Sequence, residues 1–180
     1  MRLFHFSDDP SIEEFVPRPV RVASRRPAGQ EWLNGPLVWA VDEVHQALYL
    51  FPRDCPRILL WPTRETTRED REKWWGDSSA KMIAYIETSW LDRHRTALLF
   101  RYEFPHTPFE DLHDAGMWVS RASVRPRNVV RVEGLCEHLK QEGVELRAQD
   151  SFAHLEGIWN TSLHASGIRL RNARNWPLSQ

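Results

Sequence analysis

Two segments near the N-terminus carry side chains whose types and spacing suit a small-molecule site. His5 and Ser7 alternate with phenylalanines in the apolar run Leu3–Ser7, so as strand residues they project from the same side. Trp39 lies in the next apolar run, and Tyr49 follows it. An imidazole and a hydroxyl offer hydrogen bonds, and two aromatic rings offer flat walls. This combination suits a flat ligand with polar edges, such as a nicotinamide.

Each of these residues also has a plainer interpretation. His5 fits a half-buried sheet histidine with one satisfied hydrogen bond. Tyr49 fits ordinary core packing beside Leu48 and Phe51. The site hypothesis depends on the joint occurrence of His5 and Tyr49 with Trp39.

A second candidate group, His106, Glu110 and His113, places two imidazoles and a carboxylate within eight residues. Such a set could hold a zinc ion with one open position, as in a metal-assisted hydrolase. Pro105 and Pro108 interrupt the segment, so helical spacing of the three side chains cannot be assumed. Solvated loop residues are the simpler interpretation, and we predict no metal site.

The composition is that of a protein with balanced charge. Of 180 residues, 24 are Lys or Arg and 25 are Asp or Glu, which gives a net charge of −1. Acidic residues are interspersed among the basic ones, which does not favour nucleic acid as a partner. Cys55 and Cys136 form no metal knuckle and predict no disulfide framework. No stretch of eighteen apolar residues occurs, so we predict a cytoplasmic protein without a membrane partner.

The elements that must position these residues are short. The apolar pattern predicts a single α+β domain over residues 1–180, with mixed, mostly antiparallel sheets and short inserted helices. The clearest strand pair is 81–88 with 96–104, joined by a polar hairpin tip at 92–95. Asp42 is predicted to cap a helix over 43–51. Other strands are predicted at 3–7, 38–41, 58–61, 117–120, 128–132 and 144–147, and other helices at 11–16, 66–75, 134–142 and 151–164.

Several of these segments together resemble the ADP-ribosyltransferase fold, in the branch that includes the poly(ADP-ribose) polymerases. His5-Phe6-Ser7 is similar to that family's His-Gly-Ser or His-Gly-Thr signature, with Phe in place of Gly. The run from Gly35 to Asp42 resembles Gly-x-Gly-Ile-Tyr-Phe-Ala-Asp, and Ala47-Leu48-Tyr49 resembles the Ala-x-Tyr that follows it. The family's late strand resembles residues 117–124, followed by 131–135. The chain also looks like a bacterial family known only as a domain of unknown function.

The resemblance implies NAD as a substrate and a role for each candidate residue. His5 would hydrogen-bond to a ribose of NAD, with support from Ser7. Tyr49 would stack on the nicotinamide, and Trp39 would form a wall of the pocket. Arg53 would lie near its mouth. His5 and Tyr49 are then the expected catalytic residues, and the implied reaction is transfer of ADP-ribose.

One position departs from this pattern. The family's transfer chemistry commonly uses a Glu at the start of the late strand, where this chain has Ala115-Gly116. Asp114 or Glu110 could reach in from the loop. Related tRNA 2′-phosphotransferases use Arg and His to grip phosphates instead, and the matching candidates here are Arg18, Arg53 and Arg57.

The leading hypothesis is therefore a pocket for NAD or an ADP-ribose-type nucleotide. The alternative is a non-catalytic interaction domain, in which some of the nine Trp residues serve a protein partner or self-association. The missing Glu favours this alternative. The third choice is the metal-assisted hydrolase.

Overall fold

The computed structural model describes residues 1–23, 26–174 and 176, and it confirms an α+β fold with mixed, mostly antiparallel sheets. Within the described residues the strands β1 to β10 are Leu3–Ser7, Val38–Asp42, Arg57–Trp61, Met82–Glu87, Leu99–Phe104, Glu110–Asp111, Met117–Ser120, Asn128–Val132, Val144–Gln149 and His164–Ile168. The α-helices α1 to α3 are Arg68–Asp70, Leu91–Thr96 and Leu135–Gln141, and a π-type turn, Arg71–Trp75, continues α1. Shorter 3-10 segments are Glu31–Asn34, Gln46–Tyr49, Thr88–Trp90, Ala153–Asn160 and Leu170–Asn172.

The chain folds as two compact units. The first contains residues 1–46 and 99–132, and the second contains residues 47–98 and the described residues from 133 onward. The single domain expected over 1–180 stays a prediction.

The first unit is built on a six-stranded antiparallel sheet in the order β6-β7-β2-β1-β5-β8. Successive side chains of a strand point to opposite faces, so each face collects its own apolar residues. One face packs a core of Leu3, Val38, Ala40, Phe104, Phe109, Trp118 and Val124, with Phe15 against it. A separate cluster comprises Leu33, Leu37 and Val119, with Trp39 and Leu112 against it.

The second unit is built on a four-stranded sheet in the order β10-β3-β4-β9, in which only the β4–β9 pair is parallel. Every residue of β4 is buried, as expected for a strand covered on both faces. The core of the second unit contains Ile58, Leu60, Trp75, Ile83, Tyr85, Phe152, Leu155, Ile158 and Leu163.

The expected pairing of 81–88 with 96–104 is wrong. β4 pairs with β3 and β9 in the second unit, whereas β5 pairs with β1 and β8 in the first. The supposed hairpin tip lies in α2. Alternation of apolar residues indicates which side chains share a face, but it carries no information about which strand is the neighbour.

Three expected helices are also wrong. Only the 3-10 segment Gln46–Tyr49 forms within 43–51, although the Asp42 side chain does accept a hydrogen bond from the backbone N–H of His45. Residues 11–16 form no helix, because Phe15 makes a β-bridge with Val124. The segment 151–164 contains a 3-10 stretch and then enters β10.

A buried histidine, His94 in α2, belongs to the second unit and has no solvent exposure. Its Nε2 lies 3.0 Å from the carbonyl oxygen of Leu50, and its Nδ1 lies 3.3 Å from Cys136 Sγ. A carbonyl only accepts, so Nε2 carries the proton and Nδ1 accepts from the thiol. Burial, with the nearby charge of Arg57, lowers the pKa of His94 despite the hydrogen bond to Leu50.

We expect this histidine to make the protein less stable as the pH falls below about 6.5, the ordinary pKa of His. Below this pH the histidine is protonated in the unfolded chain but stays neutral in the folded protein, because its pKa is lowered there. The free energy of unfolding therefore decreases with decreasing pH. Urea unfolding at pH 7.5 and 5.5 measures the difference, and His94→Gln should show a smaller decrease than the parent. His154→Gln, at an exposed position, is the control. Equal decreases in the parent and His94→Gln would contradict the prediction.

Candidate functional site

The His5 side chain is fixed by the strand next to it. His5 is half-buried on β1, and its Nδ1 lies 2.9 Å from the carbonyl oxygen of Trp39 on β2. Since the carbonyl only accepts, Nδ1 carries the proton, and in the neutral ring Nε2 carries the lone pair. The imidazole also contacts the rings of Phe15 and Phe104, at centroid distances of 4.9 and 6.3 Å. The result is an imidazole whose orientation is set by the backbone of β2 and by two phenylalanine rings.

Ser7 lies two residues further along β1 and therefore on the same face as His5. It is buried, and its Oγ accepts a hydrogen bond of 3.2 Å from the backbone N–H of Asp9. The Tyr102 hydroxyl donates to the Asp9 carbonyl and accepts from the backbone N–H of Ile12. These bonds fix the chain that leaves β1 beside Ser7.

Trp39 contributes its backbone, not its ring, to the surroundings of His5. In the sheet Trp39 is paired with Val119, and its indole packs with the Leu33 and Leu37 cluster. The Arg26 guanidinium lies 6.0 Å from the indole. His5 instead contacts the residues of the other core face. The structure thus brings His5 to the Trp39 carbonyl, and it places the indole on the opposite face of the sheet.

Tyr49 and Arg53 belong to the second unit. Tyr49 is half-buried at the end of its 3-10 turn, and the Arg57 guanidinium lies 5.6 Å from its ring centroid. Arg53 is exposed, and its carbonyl accepts a hydrogen bond of 3.3 Å from Arg169 Nε. The expected ligand roles of Tyr49 and Arg53 stay predictions.

Arg57, one of the arginines considered as phosphate ligands, is buried in the interior of the second unit. It is buried, and it donates from Nε to the Leu48 carbonyl and from Nη1 to the Cys55 carbonyl, at 2.8 and 3.0 Å. Burial lowers its pKa to about 10. Of the other candidates, Arg18 is exposed and forms a backbone bridge with Leu37. Arg57 therefore stabilises the fold through its two carbonyl contacts.

An aspartate–histidine pair in the first unit was missed by the sequence interpretation. The Oδ1 atom of Asp42, at the end of β2, accepts from the backbone N–H of His45 and lies 2.8 Å from its Nδ1. The side chains are 12 % and 25 % exposed, respectively. The spacing Asp-x-x-His is visible in the sequence, but the sequence patterns assign Asp42 only to a helix cap and to the end of the segment Gly35 to Asp42.

Gly116 lies directly opposite this pair. Its carbonyl accepts a hydrogen bond of 2.8 Å from the backbone N–H of Asp42, and its φ is +67°. A Cβ atom at this position would collide with the His45 imidazole and lie 2.7 Å from Asp42 Cγ. Residue 116 therefore has no room for a side chain, and a carboxylate from the neighbouring strand occupies the space beside it.

The three side chains considered for zinc contact different partners. His106 packs edge-on against Trp118, Glu110 faces Arg121, and His113 pairs with Asp111. No group of three potential metal ligands occurs among the described residues. Cys55 is buried, and desolvation raises the pKa of its thiol to about 12, so it is not a reactive thiolate at neutral pH.

A groove of about 500 Å³ also lies in the first unit. It is lined by Pro10, Ser11, Ile12, Glu13, Tyr102, Pro126, Arg127, Asn128 and Val129. His5 and Ser7 are not part of this lining. The groove adjoins the turn after β1, so the expected site residues lie near it in sequence without lining it.

The fold and these side chains define an α+β protein with two small sheets and oriented histidines on one of them. Residues 4–173 match the model of a family of unknown function, DUF6886, and the chain belongs to this family. No curated protein and no solved structure matches the chain. Among the described residues no helix is long and apolar enough to cross a membrane.

Proposed function

We propose that the chain binds NAD or a related ADP-ribose-type nucleotide, with His5 hydrogen-bonded to a ribose. The observation that carries the proposal is the orientation of the half-buried His5 imidazole by the hydrogen bond from its Nδ1 to the Trp39 carbonyl, on the strand that contains the His5-Phe6-Ser7 motif. The resemblance of residues 5–7 and 35–49 to the ADP-ribosyltransferases supports the choice of ligand.

The residues present fit part of such a nucleotide. An oriented imidazole suits hydrogen bonding to a ribose, and Ser7, buried on the same strand face, is in a position to support it. Roles for Tyr49 in stacking and Arg53 in holding phosphate are proposed on the resemblance alone. NAD supplies a cationic nicotinamide whose bond to ribose can be broken. ADP-ribosyl transfer is accordingly the proposed reaction.

We expect His5→Phe to weaken NAD binding about 3- to 10-fold, as for the loss of one neutral hydrogen bond. Phenylalanine preserves ring contacts with Phe15 and Phe104 but has neither nitrogen. Isothermal titration calorimetry with NAD and with ADP-ribose measures the affinity. His154→Ala, at an exposed position of the second unit, is the matched control and should bind like the parent.

The same titrations test the remaining roles and the alternative function. Tyr49→Ala should also weaken binding of NAD, but it should affect ADP-ribose less, because ADP-ribose has no nicotinamide to stack. A parent protein that gives no heat with either nucleotide refutes the proposal. That result would favour the alternative of a non-catalytic interaction domain.

A further inference from the structure

We propose that the outer edge of β8 binds an extended, acidic peptide segment of a partner protein, which adds a further strand to the sheet of the first unit. The segment pairs antiparallel with β8 through backbone hydrogen bonds. It places an apolar side chain at the groove beside Val129 and acidic side chains opposite Arg127 and Arg131. This inference goes beyond the nucleotide proposal and uses none of the residues assigned to the nucleotide.

The two edges of the six-stranded sheet differ in what they offer to a further strand. β6, at one edge, has only two residues, Glu110–Asp111, and both are acidic. β8, at the other edge, has five residues, and its first four are exposed. Natural sheets protect their edges by shortness and by charge. Among the residues that the structure describes, no strand pairs with the outer side of β8, so strand addition is expected at this edge.

The backbone of β8 directs hydrogen-bonding groups to its outer side at Val129 and Arg131. The Glu103 carbonyl on β5 accepts a hydrogen bond of 2.8 Å from the backbone N–H of Arg127, so Glu103 and every second residue of β5 face β8. The partners of these β5 residues are Asn128, Val130 and Val132. The residues between them, Val129 and Arg131, therefore turn their backbone N–H and C=O groups away from β5, where an added strand bonds to them.

The groove of about 500 Å³ lies beside this edge and has room for a side chain of the added strand. Val129 and Tyr102 both line it, and they are direct cross-strand partners on one face of the sheet. A residue opposite Val129 in an added strand is therefore on the groove side. The apolar part of the lining consists of Pro10, Ile12, Pro126 and Val129. Glu13 also lines the groove, so an apolar side chain fits at this position better than an acidic one.

The charges on and before β8 select an acidic partner. Residues 117–132 contain no acidic residue and four arginines: Arg121, Arg125, Arg127 and Arg131. The last two are exposed, and they lie two residues before and two residues after Val129. A carboxylate opposite each of them is stabilised by the opposite charge across the strand pair. Arg131 also interacts within its own chain, but a guanidinium has several N–H donors and serves more than one acceptor.

The same charges disfavour a second copy of the chain as the occupant. Two copies paired antiparallel along β8 bring Arg127 and Arg131 of both strands together. Registers centred on Val129 or on Arg131 place arginine directly opposite arginine, which destabilises a strand pair. The register centred on Val130 avoids direct opposition but still collects all these arginines on one strand pair. An acidic segment meets no such repulsion.

Antiparallel pairing fixes the order of side chains in the partner segment. Its first acidic residue lies opposite Arg131, and its last lies opposite Arg127. Between them come an apolar residue opposite Val130, a second apolar residue opposite Val129 at the groove, and a polar residue opposite Asn128. The matching probe is the fluorescein-labelled peptide Gly-Ser-Glu-Val-Val-Ser-Glu-Ser-Gly.

Fluorescence anisotropy of this probe, titrated with the full chain, tests the proposal. We expect a Kd of about 10–100 µM, in the range of a small, weak interface. The N–H of the second valine faces β8, so N-methylation there should weaken binding at least about tenfold. The N–H of the first valine faces solvent, and N-methylation there should leave the Kd within about threefold. Replacing both glutamates of the probe with lysine should abolish binding.

A charge reversal in the protein provides the matched pair of variants. Arg127→Glu should weaken binding of the probe about 3- to 10-fold, as expected when one exposed ion pair is replaced by repulsion. Arg68→Glu makes the same change of charge at a side chain that is 90 % exposed in the second unit, and it should bind like the parent. Circular dichroism verifies folding, and the N-methylated probes carry the test with the parent protein if Arg127→Glu does not fold.

Each contrary outcome identifies what is wrong. No binding of the probe up to about 1 mM refutes the peptide site. Equal weakening by the two N-methyl groups refutes strand pairing, and equal binding of the lysine probe refutes the charge selection. Tighter binding of a nine-residue oligothymidylate would mean that the arginines bind phosphate. A parent protein that sediments as a dimer, and becomes a monomer in Val129→Pro, would assign this edge to a second copy.

Discussion

Replacing Arg57 with alanine is expected to lower the free energy of unfolding by about 3–5 kcal/mol, because it leaves two buried carbonyls without donors and opens a cavity. The guanidinium donates to the carbonyls of Leu48 and Cys55, and it lies 5.0 Å from the Phe51 ring and 5.6 Å from the Tyr49 ring. Domains of this kind are stable by about 5–15 kcal/mol. The loss is therefore a large fraction of the total.

Two effects oppose each other at Arg57. Taking a guanidinium out of water is unfavourable, which is why burial lowers its pKa to about 10. At neutral pH the group nevertheless stays charged, and charge-assisted hydrogen bonds are worth more than neutral ones. Alanine removes the desolvation cost but leaves both carbonyls buried with no donor. We expect the second effect to prevail.

Two further variants make the prediction sharp. Arg57→Met fills much of the space but supplies no donor. Its loss of unfolding free energy should therefore be smaller than that of Arg57→Ala, and the difference between the two should equal the cavity contribution. Arg68→Ala removes an arginine whose side chain is 90 % exposed, and it should change the free energy of unfolding by less than about 0.5 kcal/mol. Urea unfolding followed by tryptophan fluorescence measures all three. An Arg57→Ala variant within 1 kcal/mol of the parent, on the scale of ordinary surface changes, would refute the assignment.

Strand positions could be predicted from the sequence because they depend on local apolar patterns. Residues 3–7, 117–120 and 128–132 form strands with the expected bounds. Which strands pair depends on contacts between distant segments, and this is why 81–88 was assigned the wrong neighbour. β10 was missed for a similar reason: its residues His164–Ile168 are only partly buried at the edge of a sheet and have no clear apolar alternation.

For the candidate site, the sequence predicts only which side chains share a face within a single strand. Alternation along β1 correctly places His5 and Ser7 on one face. Whether the Trp39 ring shares a face with His5 depends on the register between β1 and β2, in which Phe4 is paired with Val41, and patterns within one segment do not determine that register. Asp42 and Gly116 are more than seventy residues apart in the chain. Their contact arises from the pairing of β2 with β7, and single-segment patterns contain no signal for it.

Gly116→Ala is expected to lower the free energy of unfolding more than a matched glycine replacement elsewhere in the chain. An alanine at φ +67° carries about 1–2 kcal/mol of left-handed strain. At Gly116 it must also displace Asp42 and His45, and overpacking of this kind adds about 1–3 kcal/mol. Gly134→Ala is the control, since Gly134 has φ +64° and no atom within 4 Å of the added Cβ. If urea unfolding shows that both variants lose the same free energy of unfolding, then contact of the added Cβ with Asp42 and His45 does not destabilise Gly116→Ala, which contradicts the prediction.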